Sequence, residues 1–406
     1  MTDNSAQLRG APQRHDDTRT QPKTSILNDP RFRGFAYQAM LLAALVALVW
    51  WLASNAAANL AAQNKATGFG FLGQPAGFNI SFTLIPFERA ASYLQVYFVG
   101  ITNTLLVASI GVVLATVIGF VVGIARLSSN FLIRKFATVY IEILRNVPLL
   151  LQLLFWYYLL LNALPNVRQS YTFPGGFVLN QRGFSMPAAV FDDRSWIVGL
   201  VLLASVILAL LWRRHTLKRT VETGNRRPVW LPMAAIVLVP TLAALLLSGT
   251  QITFNVPELQ GFNYRGGFTA PPELTALIVG LVMYTAAFIA EIVRAGILSV
   301  SHGQTEAAAS LGLQEGDRLR LVIIPQAMRV IVPPLTSQYL NLTKNSSLGA
   351  AIGFPELVSV FVGTALNQSG RAIEIIGLTM LVYLTFSLTT SLFMNWYNAR
   401  VALVER

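Results

Sequence analysis

Eight apolar runs constrain this chain more than any other feature. They lie near 35–53, 96–125, 147–164, 195–212, 229–249, 273–298, 333–353 and 374–397. About 20 apolar residues in helical form cross the roughly 30 Å hydrocarbon layer of a bilayer, and within that layer only helices and closed barrels satisfy their own backbone. The runs lack strand-like alternation, so the sequence predicts an all-α integral membrane protein with about eight transmembrane helices. Composition agrees: 54% of residues are hydrophobic and 12% charged, against about 25% charged in soluble domains. Cysteine is absent, which excludes disulfides and thiolate chemistry. The three histidines, His15, His215 and His302, are scattered, so no metal or other cofactor is expected.

A net charge of +12 could signal nucleic acid or membrane topology, and its distribution decides. With the N-terminus inside and Arg145 set apart, 21 of the 30 Lys and Arg fall in segments 1–34, 126–146, 213–228, 294–329 and 400–406, and 7 in 54–95, 165–194, 250–272 and 354–373. Arg145 and Lys344 lie in or near the membrane. The bias places both termini in the cytoplasm by the positive-inside rule and removes any need for a nucleic-acid partner. Residues 1–34 read as a cytoplasmic tail and 35–53 as an uncleaved first span with Trp50 and Trp51 at the outer interface. Residues 54–95 form an outer loop, and 165–272 hold two spans joined by a basic loop.

Several polar residues fall inside the apolar runs. Gln152 is an interhelical hydrogen-bond donor or part of a polar path. Tyr284, Glu291 and Arg294 share one helix face, and Glu291 and Arg294 are spaced to pair. Lys344 lies ten residues beyond Pro334, about 15 Å along a helix. It either neutralises a carboxylate of the fold or meets the carboxylate of a passing solute. Asn341 belongs to the same stretch, one side of which avoids lipid. In the second span Gly111, Ala115, Gly119 and Gly123 recur at intervals of four, a face that admits close helix approach.

Between two spans stands EAAASLGLQEGDRLRLVIIP, residues 306–325, too charged for lipid. Thr305 can cap a short helix with Glu306 in its first turn, and Gly312 can end it in the left-handed conformation. A second short helix is then expected from about Gln314 to Ile323, stopped by Pro325. A slim alanine face on a fixed turn fits the groove of a partner.

The order Glu306, Ala307, Ala308, Gly312, Val322, Ile324, Pro325 resembles the signature loop of the membrane subunits of binding-protein-dependent ATP-binding-cassette importers. Val322 and Ile324 stand where Ile and Leu are commonest in that family. FIAEIVRAGILSVSHGQTEAA, VGITNTLLVASIG, RNVPLLLQLLFWYY and LTKNSSLGAAI resemble its polar amino-acid uptake branch. The first span and the pair of spans between 165 and 272 are additions to the usual core and resemble the long permeases of broad-specificity L-amino-acid importers. The resemblance implies a type I permease core in two parts, 96–164 and 273–400, with an extra N-terminal span and an inserted helix pair. It implies coupling helices at 304–325 docked on a cytoplasmic ATP-binding subunit, a periplasmic amino-acid-binding protein, and a second permease, either related or a second copy. The location implied is the bacterial inner membrane. None of the lysines follows a glycine, so the chain lacks a P-loop of its own and ATP is expected to be hydrolysed by a partner. The alternative is an ion-coupled secondary transporter of a small polar solute, suggested by Glu291, Arg294 and Lys344.

Overall fold

The computed structural model describes residues 30–62, 68–223, 228–250 and 252–401. Both chain ends, and most of the expected tail 1–34, lie outside the described residues. The chain divides into two compact units, 1–67 and 68–406. The first contributes one helix, α1 (Pro30–Ala62), apolar from Phe32 to Ala56 and covering the expected first span. Proline at its start costs nothing, because that amide has no intrahelical partner.

The helices of the second unit are α2 (Tyr93–Ala125), α3 (Phe131–Asn146), α4 (Leu149–Ala163), α5 (Ser195–Thr223), α6 (Trp230–Leu247), α7 (Pro272–Leu298), α8 (His302–Ser310), α9 (Glu315–Arg318), α10 (Ile324–Asn345), α11 (Leu366–Ser369) and α12 (Ala372–Val401). Among the described residues seven helical stretches are long and apolar enough to cross a membrane, or eight if one bent pair counts as a span. The fold class read from the sequence therefore holds. The bent pair is α3 and α4, which meet at 108°. The expected span 147–164 corresponds to α4 alone, whose 15 residues reach only about 22 Å. Asn130 caps α3 by accepting from the amides of Leu132 and Ile133, and Pro148 starts α4 beyond the bend.

Helix α7 is the hub, with α2, α3, α4 and α10 packed around it. Small residues set these approaches: an added Cβ at Gly119 would stand 2.6 Å from Ile289 Cβ, at Gly123 2.7 Å from the Ala290 carbonyl, and at Gly280 2.5 Å from a Leu153 methyl. Gly111 meets Leu342 of α10. The four-residue stripe on α2 is thus spent on α7 and α10 of the same chain.

Eight short strands in the 165–272 insertion were not legible in the sequence. They are β1 (Tyr171–Phe173), β2 (Phe177–Asn180), β3 (Gly183–Met186), β4 (Ala188–Phe191), β5 (Ile252–Asn255), β6 (Glu258–Gln260), β7 (Asn263–Arg265) and β8 (Phe268–Ala270). One sheet runs β1-β2-β3-β8; β4 pairs with β5, and β6 with β7, all antiparallel. The strand that leads into α5 therefore lies beside the strand that returns from α6. The two helices are an excursion from a small sheet, and they pack against each other.

Two local expectations need correction. Helix α8 begins at His302 with Ser301 at its cap, so Thr305 lies inside the helix and Glu306 beyond its first turn. The second short helix does not stop at Pro325. Helix α9 passes through a π-helical turn, Leu319–Ile323, straight into α10, and Glu315–Ile352 is one continuous stretch. In that turn the Ile324 amide donates to the Leu319 carbonyl, five residues back. The wider coil gives room for the Pro325 ring, which would otherwise meet the carbonyl four residues earlier.

Candidate functional site

The loop between α7 and α10 is held by backbone geometry and is exposed over most of its length. Gly312 adopts φ +76°. Its amide donates to the Ala309 carbonyl at 2.9 Å, and the Leu313 amide to that of Ala308 at 3.2 Å, the paired bonds of a Schellman terminus. Ala308 is buried, while Glu306, Ala307 and Ala309 face outward and Leu311 is 82% exposed. Glu306 Oε1 lies 3.0 Å from His302 Nδ1. Gln326 Nε2 donates to Gln304 Oε1 at 3.2 Å, tying α10 to α8. Val322 is half-buried under the π-helical turn, with Ile324 and Pro325 exposed beyond it. The result is a two-part knob presenting a carboxylate, small side chains and one bare leucine.

One helical turn before that loop, α7 carries an ionic triad. Glu291 Oε1 accepts from Arg294 Nε at 3.1 Å and Nη2 at 2.6 Å, while Oε2 accepts from Arg126 at the end of α2. One carboxylate thus joins two helices. Arg126 has an identifiable sequence signal, an arginine closing an apolar run, yet it was read only as a topology charge.

The family model described as "Binding-protein-dependent transport system inner membrane component" matches residues 111–403. The chain belongs to this family. It is 50% identical to the general L-amino acid transport system permease protein AapQ of Rhizobium johnstonii, over 94% of this chain and 95% of that one. It is 48% identical to the putative amino-acid ABC transporter permease protein YhdX of Escherichia coli, over 93% and 96%. It is 41% identical to the glutamate/glutamine/aspartate/asparagine transport system permease protein BztB of Rhodobacter capsulatus, over 94% and 96%. The permease is therefore a multi-pass inner-membrane transport subunit, and the ion-coupled alternative is set aside by this membership.

In the permease Gln152 of α4 is a hydrogen-bond donor between helices, the first of the two roles open to it. Its Nε2 donates to the carbonyls of Leu144 and Val147, at 2.9 and 2.8 Å, closing the last turn of α3 across the bend. Tyr284 packs its ring on Phe288, 4.9 Å between centroids, and is apart from the triad's hydrogen bonds. Lys344 makes no ion pair among the described residues. No carboxylate of the described residues neutralises it within the fold. It is exposed in the last turn of α10, on the edge of a cavity of about 550 Å³ lined also by Ser347, Val358, Thr379, Met380 and Tyr383. Asn341, one turn earlier, is exposed too.

Glu356 was missed, although Pro-Glu ahead of an apolar helical run is a capping signal. It is fully buried, accepts from the amides of Val358 and Ser359 at 2.8 and 2.7 Å, and takes the Tyr383 hydroxyl at 3.3 Å. Burial pushes its carboxyl up to about 7. It fixes the segment behind the Lys344 cavity, since Val358 and Tyr383 both line that cavity.

The triad predicts an asymmetry. Glu291→Gln should strand two guanidiniums and lower stability by about 1–2 kcal/mol, between exposed and buried pair values because the groups are about a quarter exposed. Arg294→Gln should cost less, because Arg126 still holds the carboxylate. The double change should cost less than the two singles added, and strictly additive shifts in thermal unfolding would mean that the side chains do not interact.

Proposed function

We propose that this chain is the permease subunit of an ATP-driven importer that carries L-amino acids inward. Its loop at 304–325 docks on a cytoplasmic ATP-binding subunit, and both termini face the cytoplasm. A periplasmic amino-acid-binding protein delivers the solute, and a second permease, a related long one or a second copy, completes the path. The observation that carries the docking assignment is the exposed knob of α8 and α9, locked by Gly312 at φ +76°. The relatives named for amino-acid transport support the solute class.

The Lys344 cavity is the proposed contact for the solute carboxylate, because it combines a free ammonium, hydroxyls and an apolar wall. The test is uptake by proteoliposomes holding the permease. Uptake should require binding protein, ATP-binding subunit and ATP together, and uptake driven by a proton or sodium gradient alone would refute the proposal. Lys344→Met should raise KM for amino acid presented on binding protein about tenfold, the worth of one charge-assisted contact, with basal ATP hydrolysis unchanged. An unaltered KM would remove Lys344 from the path.

A further inference from the structure

The ends of α2, α3 and α7 nearest the coupling loop enclose a cavity of about 350 Å³ whose lining includes Arg126, Glu142, Arg145, Asn146 and Phe288. Three guanidiniums and two carboxylates gather here, counting Glu291 and its partner Arg294. Glu291 is already shared by Arg126 and Arg294. Arg145 makes no ion pair among the described residues and rests 5.1 Å above the Phe288 ring. Glu142 lies one turn before it on α3, with its own backbone carbonyl taken by Asn146 Nδ2 at 2.7 Å. The surplus charge is therefore positive.

A second observation concerns α3 itself. Leu132, Phe136, Val139 and Ile143 follow at intervals of four, three and four, so they form one stripe, and all are exposed. Arg134, Lys135, Thr138, Glu142 and Arg145 occupy another face, and Ala137 and Ile141 are buried on a third. The 108° bend turns α3 across the direction of α4. Helix α4 reaches only about 22 Å, roughly 8 Å short of the hydrocarbon thickness. An amphipathic helix lying in the interface sinks about 5–10 Å into it, which makes up that shortfall. Glu142, beside Ile143 in sequence, places the cavity's lining next to the exposed stripe.

We propose that α3 lies in the membrane interface on the side of the coupling loop, and that the adjoining cavity binds the phosphate of an anionic phospholipid through Arg145. The shared chemistry is a phosphoryl anion, and the apolar stripe makes the lipid its source. In a delipidated complex, phosphatidylglycerol added in detergent should bind one headgroup per permease by native mass spectrometry. Arg145→Gln should weaken that binding about fivefold or more, the worth of one basic residue near a charged headgroup. Phosphatidylcholine should bind more weakly than phosphatidylglycerol, and inorganic phosphate should not displace the lipid. Equal phosphatidylglycerol binding by Arg145→Gln, or displacement by millimolar inorganic phosphate, would overturn the lipid site. In this cysteine-free chain a single Phe136→Cys, labelled with a fluorophore, should be quenched by brominated lipid in vesicles; an unquenched label would overturn the placement of α3.

Discussion

Replacing Gly312 with valine should leave the permease in the membrane and abolish transport. An added Cβ at Gly312 meets nothing within 4 Å, so the substitution brings no clash with neighbours. The cost is conformational: a left-handed backbone disfavours side-chain-bearing residues by roughly 1–2 kcal/mol, and a β-branched one most of all. The backbone can relieve this by leaving φ +76°, which breaks the paired bonds to Ala308 and Ala309 and rotates α8 against α9. The knob then no longer presents one surface. Membrane level should match wild type, while the ATP-binding subunit retained on purified permease should fall several-fold and hydrolysis stimulated by loaded binding protein should fall with it. Gly312→Asn, which tolerates the left-handed region, should keep much of both. Full retention and full stimulation in Gly312→Val would remove the docking assignment.

Gly119→Val should have the opposite profile, failing before any partner is met. Helix α2 approaches α7 closely enough that a Cβ at Gly119 would sit 2.6 Å from Ile289 Cβ and 3.1 Å from the Ala286 carbonyl. Neither atom is the far end of a flexible side chain, so relief requires the helices to separate. Overpacking of this kind costs about 1–3 kcal/mol, and valine adds two more carbons. The expected result is a large loss of monodisperse protein and a lowered unfolding temperature. Gly377→Ala, whose Cβ would meet nothing within 4 Å, should be neutral. Normal yield and stability in Gly119→Val would mean that the two helices do not approach as described.

The parts that were legible in the sequence are those governed by local rules. Apolar run length gave the spans, a glycine after an alanine-rich turn gave the left-handed terminus at Gly312, and three-residue spacing gave Glu291 beside Arg294. The parts that were not depend on what arrives from elsewhere in the chain. Arg126 comes to Glu291 across 165 residues. Gln152 was legible as a donor between helices, but its acceptors were not, because the 108° bend, invisible in an apolar run, is what leaves the carbonyls of Leu144 and Val147 in reach. Strands of three or four residues in a polar insertion carry too little alternation to stand out, and β3 finds β8 only after the chain has passed through α5 and α6. Pro325 misled for a related reason: it marks a helix end by rule, but a π-helical turn absorbs it.

That absorbed proline has a mechanical consequence. Because α9 and α10 join without a break, Glu315 and Lys344 lie on one continuous helical stretch about 44 Å long at 1.5 Å per residue, with Pro333 and Pro334 inside it. Such a stretch converts angle into distance: where it moves as one body, a tilt of about 5° at the Glu315 end moves the far end by about 4 Å over that length. Had Pro325 ended the helix, the joint would have dissipated such a tilt. As the chain is built, no helix end at Pro325 interrupts the connection between the exposed knob and the segment that carries Lys344.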